Sequence, residues 1–206
     1  MFKIRGKMFV KSDSKMLPPK DRVHVNNTDK SSFPKVFLVG FMSSGKSYLG
    51  RKLSCLVGLP FVDLDEYISD QQSLAIADLF SFHGEGYFRE LEKNALGQLL
   101  RLQSAIISTG GGTPCFHDNM DLMRESGVVV YLKKSPEILL GRLSQEAGNR
   151  PLVAGKSIGQ LAEYIQATLE WREPFYSRAH VVYEGDDVRG LFKELLVFQR
   201  SNAQGL

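Results

Sequence analysis

Residues 40–47, Gly-Phe-Met-Ser-Ser-Gly-Lys-Ser, match the pattern G-x-x-x-x-G-K-[ST], which binds nucleotide phosphates. Glycines in such a loop let successive backbone N–H groups point at phosphate oxygens, and the following helix presents its positive end to the same anion. Lys46 adds a cation, and the Ser47 hydroxyl suits Mg²⁺. Because the apolar run 36–39 precedes the loop and a predicted helix over 46–57 follows it, we predict a nucleotide site rather than a simple Gly/Ser turn.

Two carboxylates, Asp63 and Asp65, come at the end of a second predicted strand, residues 61–64. Side chains two positions apart in a strand lie on the same face, so both can point into the crevice at the carboxyl edge of a parallel sheet. One could then support Mg²⁺ while the other accepts a hydrogen bond from the attacking hydroxyl group. Considered alone, the two acids are explained equally well as caps of the helix that follows.

Arg89 and Glu92 are three positions apart on a predicted helix, so they are neighbours on one face of it. This pair has two interpretations. It is either an ordinary surface ion pair, or an arginine held in position to bind a substrate carboxylate through two hydrogen bonds.

Two further arginines lie late in the chain. Arg172 comes near the end of a long predicted helix, residues 158–177, and Arg150 lies in the polar Gly/Pro segment 146–157. We expect that segment to be a mobile lid, which excludes water and brings Arg150 to the transferred phosphoryl group. Taken singly, each arginine is more often a solvated surface residue.

Three consecutive glycines, residues 110–112, follow the third predicted strand. Glycines are entropically costly to order, so the triplet indicates close backbone approach by a ligand, with a tight turn as the alternative. That strand ends without the acidic residue that motor ATPases and GTPases use to support Mg²⁺. The chain also lacks the Asn-Lys-x-Asp signature of guanine recognition, which argues against a GTPase.

Composition excludes several classes of protein. The 206 residues are 43% apolar and 24% charged, which is typical of a globular domain. Residues 1–35 hold nine Lys/Arg and three Asp, so the rest of the chain is slightly acidic and a nucleic-acid partner is not expected.

We predict residues 1–33 to be a disordered or extended arm. The two cysteines lack metal-binding spacing, and no apolar stretch is long enough for a membrane span, so we expect a cytoplasmic protein.

Strands and helices alternate along residues 34–206, so we predict one α/β domain whose parallel sheet is covered by helices on both faces. Strands are predicted at residues 36–39, 61–64, 105–108, 128–132 and 180–183. Helices are predicted at residues 46–57, 66–71, 75–82, 86–101, 136–145, 158–177 and 188–198.

The segments GFMSSGKS, DLDEYI, FRELE, STGGGTP, RPL and REPFY, in this order and at these intervals, resemble the shikimate kinase family over residues 35–199. The resemblance implies a P-loop kinase fold of the nucleoside-monophosphate-kinase type with a mobile lid, in a small monomer. It also implies transfer of the γ-phosphate of ATP to the 3-hydroxyl of shikimate. The product would be shikimate 3-phosphate, on the route to chorismate and the aromatic amino acids.

The resemblance assigns roles to single residues. The catalytic residues would be Asp65, Lys46 and Arg150. ATP would be bound by Ser43, Ser44, Gly45, Lys46, Ser47, Tyr48 and Arg150. Shikimate would be bound by Asp65, Arg89, Gly111 and Arg172, and Mg²⁺ by Ser47 and Asp63.

The loop departs from the family at two places. Ser43-Ser44 stands where the family often has glycine followed by a small residue, and Tyr48 where threonine is common. We expect these changes to tune affinity, since the loop pattern permits both. Rival functions are another small-metabolite kinase on the same fold, for instance one that acts on gluconate, and a catalytically inactive nucleotide-binding or regulatory module. The triple glycine and the paired arginines argue against the first, and the presence of Lys46, Asp65 and Arg89 argues against the second.

Overall fold

A computed structural model describes residues 34–146 and 155–203. The predicted arm, residues 1–33, therefore lies outside the described residues, as does Arg150 with most of the predicted lid. The described residues form a five-stranded, all-parallel sheet in the order β2-β3-β1-β4-β5. The predicted parallel sheet is confirmed. No described helix is long and apolar enough to cross a membrane.

The strands agree closely with the prediction. They are β1 Lys35–Val39, β2 Phe61–Asp63, β3 Ile106–Ser108, β4 Gly127–Leu132 and β5 Val181–Tyr183. The helices are α1 Lys46–Val57, α2 Leu64–Gln72, α3 Ile76–Leu99, α4 Asn119–Ser126, α5 Pro136–Glu146, α6 Ile158–Tyr176 and α7 Val188–Ala203, with a 3₁₀ turn at Thr113–Cys115. The 3₁₀ turn and α4 were not predicted.

The central strand β1 is buried on both faces, and its alternation separates two cores. Phe37 and Val39 pack in one hydrophobic cluster with residues of α2, α3 and α4. Val36 and Leu38 point the other way and pack with residues of α1 and α7. Fully burying each such side chain contributes about 1.5–3 kcal/mol, so this short strand anchors the loop that follows it.

The break in α3 explains why two helices were predicted where one is assigned. Gly84 has φ 78° and ψ 174°, which is not helical, and the helix continues on either side of it. Glycine reaches positive φ at little cost, so the chain can change direction here without ending the helical element. The second half of α3 carries Arg89 and Glu92 towards the sheet.

The carboxyl ends of the strands meet at one edge of the sheet. The phosphate loop follows β1, Asp63 ends β2, and Ser108 ends β3. After β1 the chain forms β2 and β3 on one side of that strand and then crosses to form β4 and β5 on the other side. The direction in which strands are added to the sheet therefore reverses beside β1. Crevices at such reversals are where open α/β sheets bind ligands.

Candidate active site

The phosphate loop adopts a backbone that few side chains tolerate. Gly40 has φ 140°, Ser43 has φ 59° and Gly45 has φ 98°. A β-carbon at Gly40 would also stand 2.8 Å from the carbonyl oxygen of Leu132 on the neighbouring strand. The buried ammonium of Lys46 donates to the carbonyl oxygens of residues 40 and 41 at 2.9 and 2.8 Å. These two hydrogen bonds hold the side chain of Lys46 against the phosphate loop.

Ser47 and Asp63, the two residues predicted to bind Mg²⁺, are in direct contact. The hydroxyl of Ser47 donates to Oδ2 of Asp63 at 2.6 Å and lies 3.3 Å from the hydroxyl of Ser108. Oδ1 of Asp63 accepts from the backbone N–H of residue 65 at 3.1 Å and caps α2. The helix-cap interpretation of this acid is therefore confirmed for Oδ1, while Oδ2 is bonded to the hydroxyl that is predicted to bind Mg²⁺.

The oxygen atoms at this position suit Mg²⁺ bound together with phosphate and water, and not a metal ion held by protein ligands alone. Within residues 34–146 and 155–203, no group of three His, Cys, Asp or Glu side chains could hold a metal ion. Mg²⁺ usually takes one or two protein oxygens and completes its shell with water and phosphate oxygens. A hydroxyl and a carboxylate beside a phosphate loop meet that requirement.

Asp65 lies in the first turn of α2, not in a strand as predicted, because β2 ends at Asp63. It nevertheless lines the same crevice as Lys46. The pKa of Asp65 is raised to about 6, chiefly by burial; the carboxylates of Asp63 and Glu92 add to the rise, and Lys46 and Arg89 oppose it. A carboxylate with a pKa near the working pH can accept a proton and release it again.

Arg89 and Glu92 form a buried pair, so the interpretation as an ordinary surface ion pair is wrong. Nη1 of Arg89 donates to Oε2 of Glu92 at 2.8 Å, and the two side chains are 10% and 1% exposed. The other oxygen of Glu92 accepts from the hydroxyl of Thr113 at 2.5 Å. The ring of Phe116 covers the guanidinium, with 4.0 Å between its centre and the guanidinium carbon.

Glycine is required at residues 110–112 because neighbouring atoms leave no room for a β-carbon. None of its three residues has positive φ, so backbone freedom is not what selects glycine here. A β-carbon at Gly110 would lie 2.8 Å from Oε1 of Glu92 and 2.9 Å from Oδ1 of Asp65. One at Gly111 would lie 2.9 Å from Nη1 of Arg172, and one at residue 112 would lie 2.6 Å from Nη2 of Arg89. The site's own side chains therefore occupy the room that was predicted for a ligand.

Arg172 is brought to this loop by the last turn of α6. The hydroxyl of Tyr176, one turn further on, donates to the carbonyl oxygen of Gly111 at 2.5 Å. Glu173 accepts hydrogen bonds from the hydroxyl of Tyr131 at 2.7 Å and from Lys133 at 2.8 Å. These contacts fix the helix end against the sheet. Nε of Arg172 is buried and has no hydrogen-bond partner in the described part of the chain.

A cavity of about 610 Å³ lies beside the phosphate loop and reaches Asp65 and the glycine triplet at Gly111. Its lining includes the phosphate loop, Tyr48, Asp63, Asp65, Gly111 and two residues that sequence reasoning missed, Arg142 and Asp186. Arg142 donates to the carbonyl oxygen of Ser43 at 3.2 Å and to Asp186 at 2.8 Å. Asp186 follows β5, so its place at a strand end was a usable signal. Nothing in the sequence distinguished Arg142 from other helical arginines.

A sequence model of the family described as shikimate kinase matches residues 42–197, more than half of the chain. The chain belongs to the shikimate kinase family. A curated shikimate kinase of Parabacteroides distasonis is 43% identical over 152 residues, covering 74% of this chain and 88% of that one. One of Bacteroides fragilis (strain YCH46) is 42% identical over 152 residues, covering 74% and 85%.

Solved structures give the same family. Shikimate kinase from Bacteroides thetaiotaomicron superposes with a TM-score of 0.75 at 35% identity, covering 82% of this chain and 98% of that chain. Shikimate kinase from Acinetobacter baumannii, solved in complex with shikimate, gives 0.75 at 31%, covering 85% and 97%. A gluconokinase from Sinorhizobium meliloti, at 0.51 and 17% identity, shares the fold alone. The predicted family, P-loop kinase fold and enzyme class, an ATP-dependent small-molecule kinase, are confirmed.

Proposed function

We propose that this chain transfers the γ-phosphate of ATP to the 3-hydroxyl of shikimate, giving shikimate 3-phosphate and ADP. One observation carries the proposal beyond family membership. Asp65, Arg89 and Arg172 all reach the same three-glycine loop, and that loop borders the cavity that the phosphate loop lines. Two cations and a carboxylate beside a nucleotide site suit an acceptor that bears both a carboxylate and hydroxyl groups.

The arginines would bind the acceptor through its carboxylate. Arg89 is held by a buried partner, Glu92, and the buried Nε of Arg172 has no partner among the described residues. A buried donor without a partner costs about 1–3 kcal/mol, which a ligand oxygen would recover. Holding the ring at one end in this way orients the hydroxyl at the other end, and orientation supplies much of the catalysis in phosphoryl transfer.

Asp65 would align the attacking hydroxyl and accept its proton. Its carboxylate lies against Gly110, next to Glu92, and lines the cavity together with Lys46. Lys46 would neutralise charge on the transferred phosphoryl group. Arg150, which lies outside the described residues, would join it there from the lid segment. The lid would also exclude water and so suppress wasteful hydrolysis of ATP.

Ser47 and Asp63 would hold Mg²⁺, the first through its hydroxyl and the second as a supporting carboxylate. When bound, Mg²⁺ supplies positive charge that stabilises the phosphates during transfer. The backbone and side chains of residues 43–48 would bind the phosphates of ATP. Tyr48 lines the cavity and is 58% exposed, with Lys52 against its ring, so it would form part of the outer wall of the site.

The setting of this activity would be the cytoplasm, with the protein acting as a monomer on ATP and shikimate and without nucleic acid or a membrane. Both cysteines are free, Cys55 exposed and Cys115 buried, as is usual in a reducing compartment. Light scattering coupled to gel filtration would give a mass of about 23.1 kDa for a monomer.

A coupled assay of ADP release, run with ATP and Mg²⁺ and with or without shikimate, tests the proposed reaction. We expect ADP release to depend on shikimate and to remain at background with gluconate. Mass spectrometry of the product should find one added phosphoryl group on shikimate. Purified protein that binds ATP but shows no shikimate-dependent turnover would contradict the substrate assignment.

A further inference from the structure

Arg89 has two carboxylate partners, and they differ in how firmly they are held. Its Nη1 donates to Glu92, whose side chain is 1% exposed and whose second oxygen accepts from Thr113. Its Nε and Nη2 both donate to Oε1 of Glu85, at 3.2 and 2.8 Å. The side chain of Glu85 is 58% exposed. Glu92 is thus a fixed partner, whereas Glu85 is open to water.

The backbone around Glu85 is not held by close packing of its neighbours. Gly84, with φ 78°, and Gly86 flank it, and a β-carbon at either glycine would meet nothing within 4 Å. Among the described residues, the side chain of Glu85 has no hydrogen bond or ion pair other than that with Arg89. Leaving the arginine would therefore return this carboxylate to water, at the small cost expected for an ion pair whose carboxylate is already exposed.

The contact made by Glu85 has the chemistry expected of the substrate. Glu85 accepts through one oxygen from Nε and Nη2 of Arg89, and this edge of the guanidinium is one that a carboxylate ligand can bind through both of its oxygens. The Nε of Arg89 carries a single N–H group, so an incoming carboxylate and Glu85 cannot both accept from it.

We propose that Glu85 is an internal competitor of the substrate, occupying the Nε and Nη2 groups of Arg89 until the carboxylate of shikimate displaces it. This inference rests on the proposed function, because it takes Arg89 as a ligand of the substrate carboxylate. Displacement exchanges one ion pair for another, so Arg89 is paired before and after binding. A neutral acceptor cannot make that exchange, and Glu85 therefore selects for acceptors that carry a carboxylate.

Competition raises the apparent Kd of the substrate, which equals the intrinsic Kd divided by the fraction of protein in which Arg89 is not bonded to Glu85. Because the carboxylate of this pair is exposed, we take the pair as worth about 0.2–1 kcal/mol, which corresponds to a factor of up to about fivefold. In the variant Glu85→Gln, which keeps the shape and removes the charge, we therefore expect the Kd of shikimate to fall about two- to fivefold. The Kd of the neutral methyl ester of shikimate should not fall, and that of ATP should stay the same.

Binding can be followed by fluorescence, because the chain has a single tryptophan close to the arginine. The rings of Trp171 and Phe116 are 5.7 Å apart, and Phe116 covers the guanidinium of Arg89. Titrations of the full chain with shikimate and with its methyl ester give both dissociation constants, and calorimetry checks them.

Glu90→Gln is the matched control. Glu90 is 61% exposed on the same helix and lies 3.5 Å from His117, not against Arg89. Its loss should leave the Kd of shikimate unchanged. An unchanged or higher Kd in Glu85→Gln would overturn the competitor role, and a rise would make Glu85 a positioning residue instead. An equal gain for the methyl ester, or in Glu90→Gln, would also overturn it. Failure of the wild-type protein to bind or phosphorylate shikimate would count against the proposed function instead.

Discussion

Gly112 lies against the guanidinium of Arg89 so closely that a β-carbon there would stand 2.6 Å from Nη2 and 2.9 Å from the guanidinium carbon. The φ of Gly112 is −90°, a value that any residue adopts. Glycine is therefore required at this position for room and not for backbone freedom. Substitution of Gly112 should disturb the arginine without breaking the turn.

Gly112→Ala should weaken shikimate binding selectively. The atoms in the way belong to the flexible end of Arg89, so the side chain can move and the fold can persist. Losing a charge-assisted contact of about 1.5–3 kcal/mol should raise the KM for shikimate about 10- to 100-fold, with little change in the KM for ATP. Gly97→Ala is the control, because a β-carbon there meets nothing within 4 Å. A normal KM for shikimate in Gly112→Ala would refute this explanation of the triplet.

Asp65→Asn should lower kcat by about 10²- to 10⁴-fold, the usual contribution of a general base. The Kd of ATP, measured by calorimetry, should change little, because the phosphates are bound by the loop after β1. Asp70→Asn removes an exposed carboxylate from the same helix and should behave as the wild type. An unchanged kcat in Asp65→Asn would remove this residue from the role of base.

Ser47→Ala should raise the Mg²⁺ concentration needed for half-maximal activity by about tenfold. The variant loses the hydroxyl that would bind the metal ion, and an interaction with a charged group is worth about 1.5 kcal/mol or more. Removing Mg²⁺ with a chelator should abolish turnover in the variant and in the wild type. Ser54→Ala, in the same helix, loses only a hydroxyl bonded to the carbonyl oxygen of Leu59 and should keep the wild-type Mg²⁺ dependence. Identical Mg²⁺ curves for Ser47→Ala and the wild type would contradict the metal assignment.

His180 should make the fold sensitive to acid. Its Nδ1 accepts from the backbone N–H of Val129 at 3.0 Å, and burial, together with Arg124, holds the pKa of His180 below its ordinary 6.5. Below that pH the unfolded chain binds more protons at this site than the folded one, so stability falls as the pH falls.

Thermal unfolding of His180→Gln across pH 7.5 to 5 measures this effect, and the variant should lose less stability on acidification than the wild type. His83→Gln, which removes an exposed histidine, is the control. Equal acid sensitivity in wild type and His180→Gln would show that another group is responsible.

Much of the framework follows from local sequence. The phosphate loop, the helix after it and the strands could be predicted because each depends on a short pattern of glycines, apolar runs and periodicity. The contact of Arg89 with Glu92 follows from helical spacing. The boundary at Asp63 could not be placed, because an acid at a strand end is equally a helix cap, and the structure uses it as one. The helix Asn119–Ser126 was missed because it has only eight residues and runs directly into β4, which begins at Gly127.

The short motifs along the chain predict the class of chemistry, because a phosphate loop, a pair of acids and a set of arginines follow one another in the order of one kinase family. Tertiary structure decided how they act on one another. It buried Glu92, raised the pKa of Asp65 to about 6, and filled the space beside the three glycines with side chains from three helices. Burial, repulsion between carboxylates and the room for a β-carbon depend on residues distant in sequence, so only the folded chain defines them.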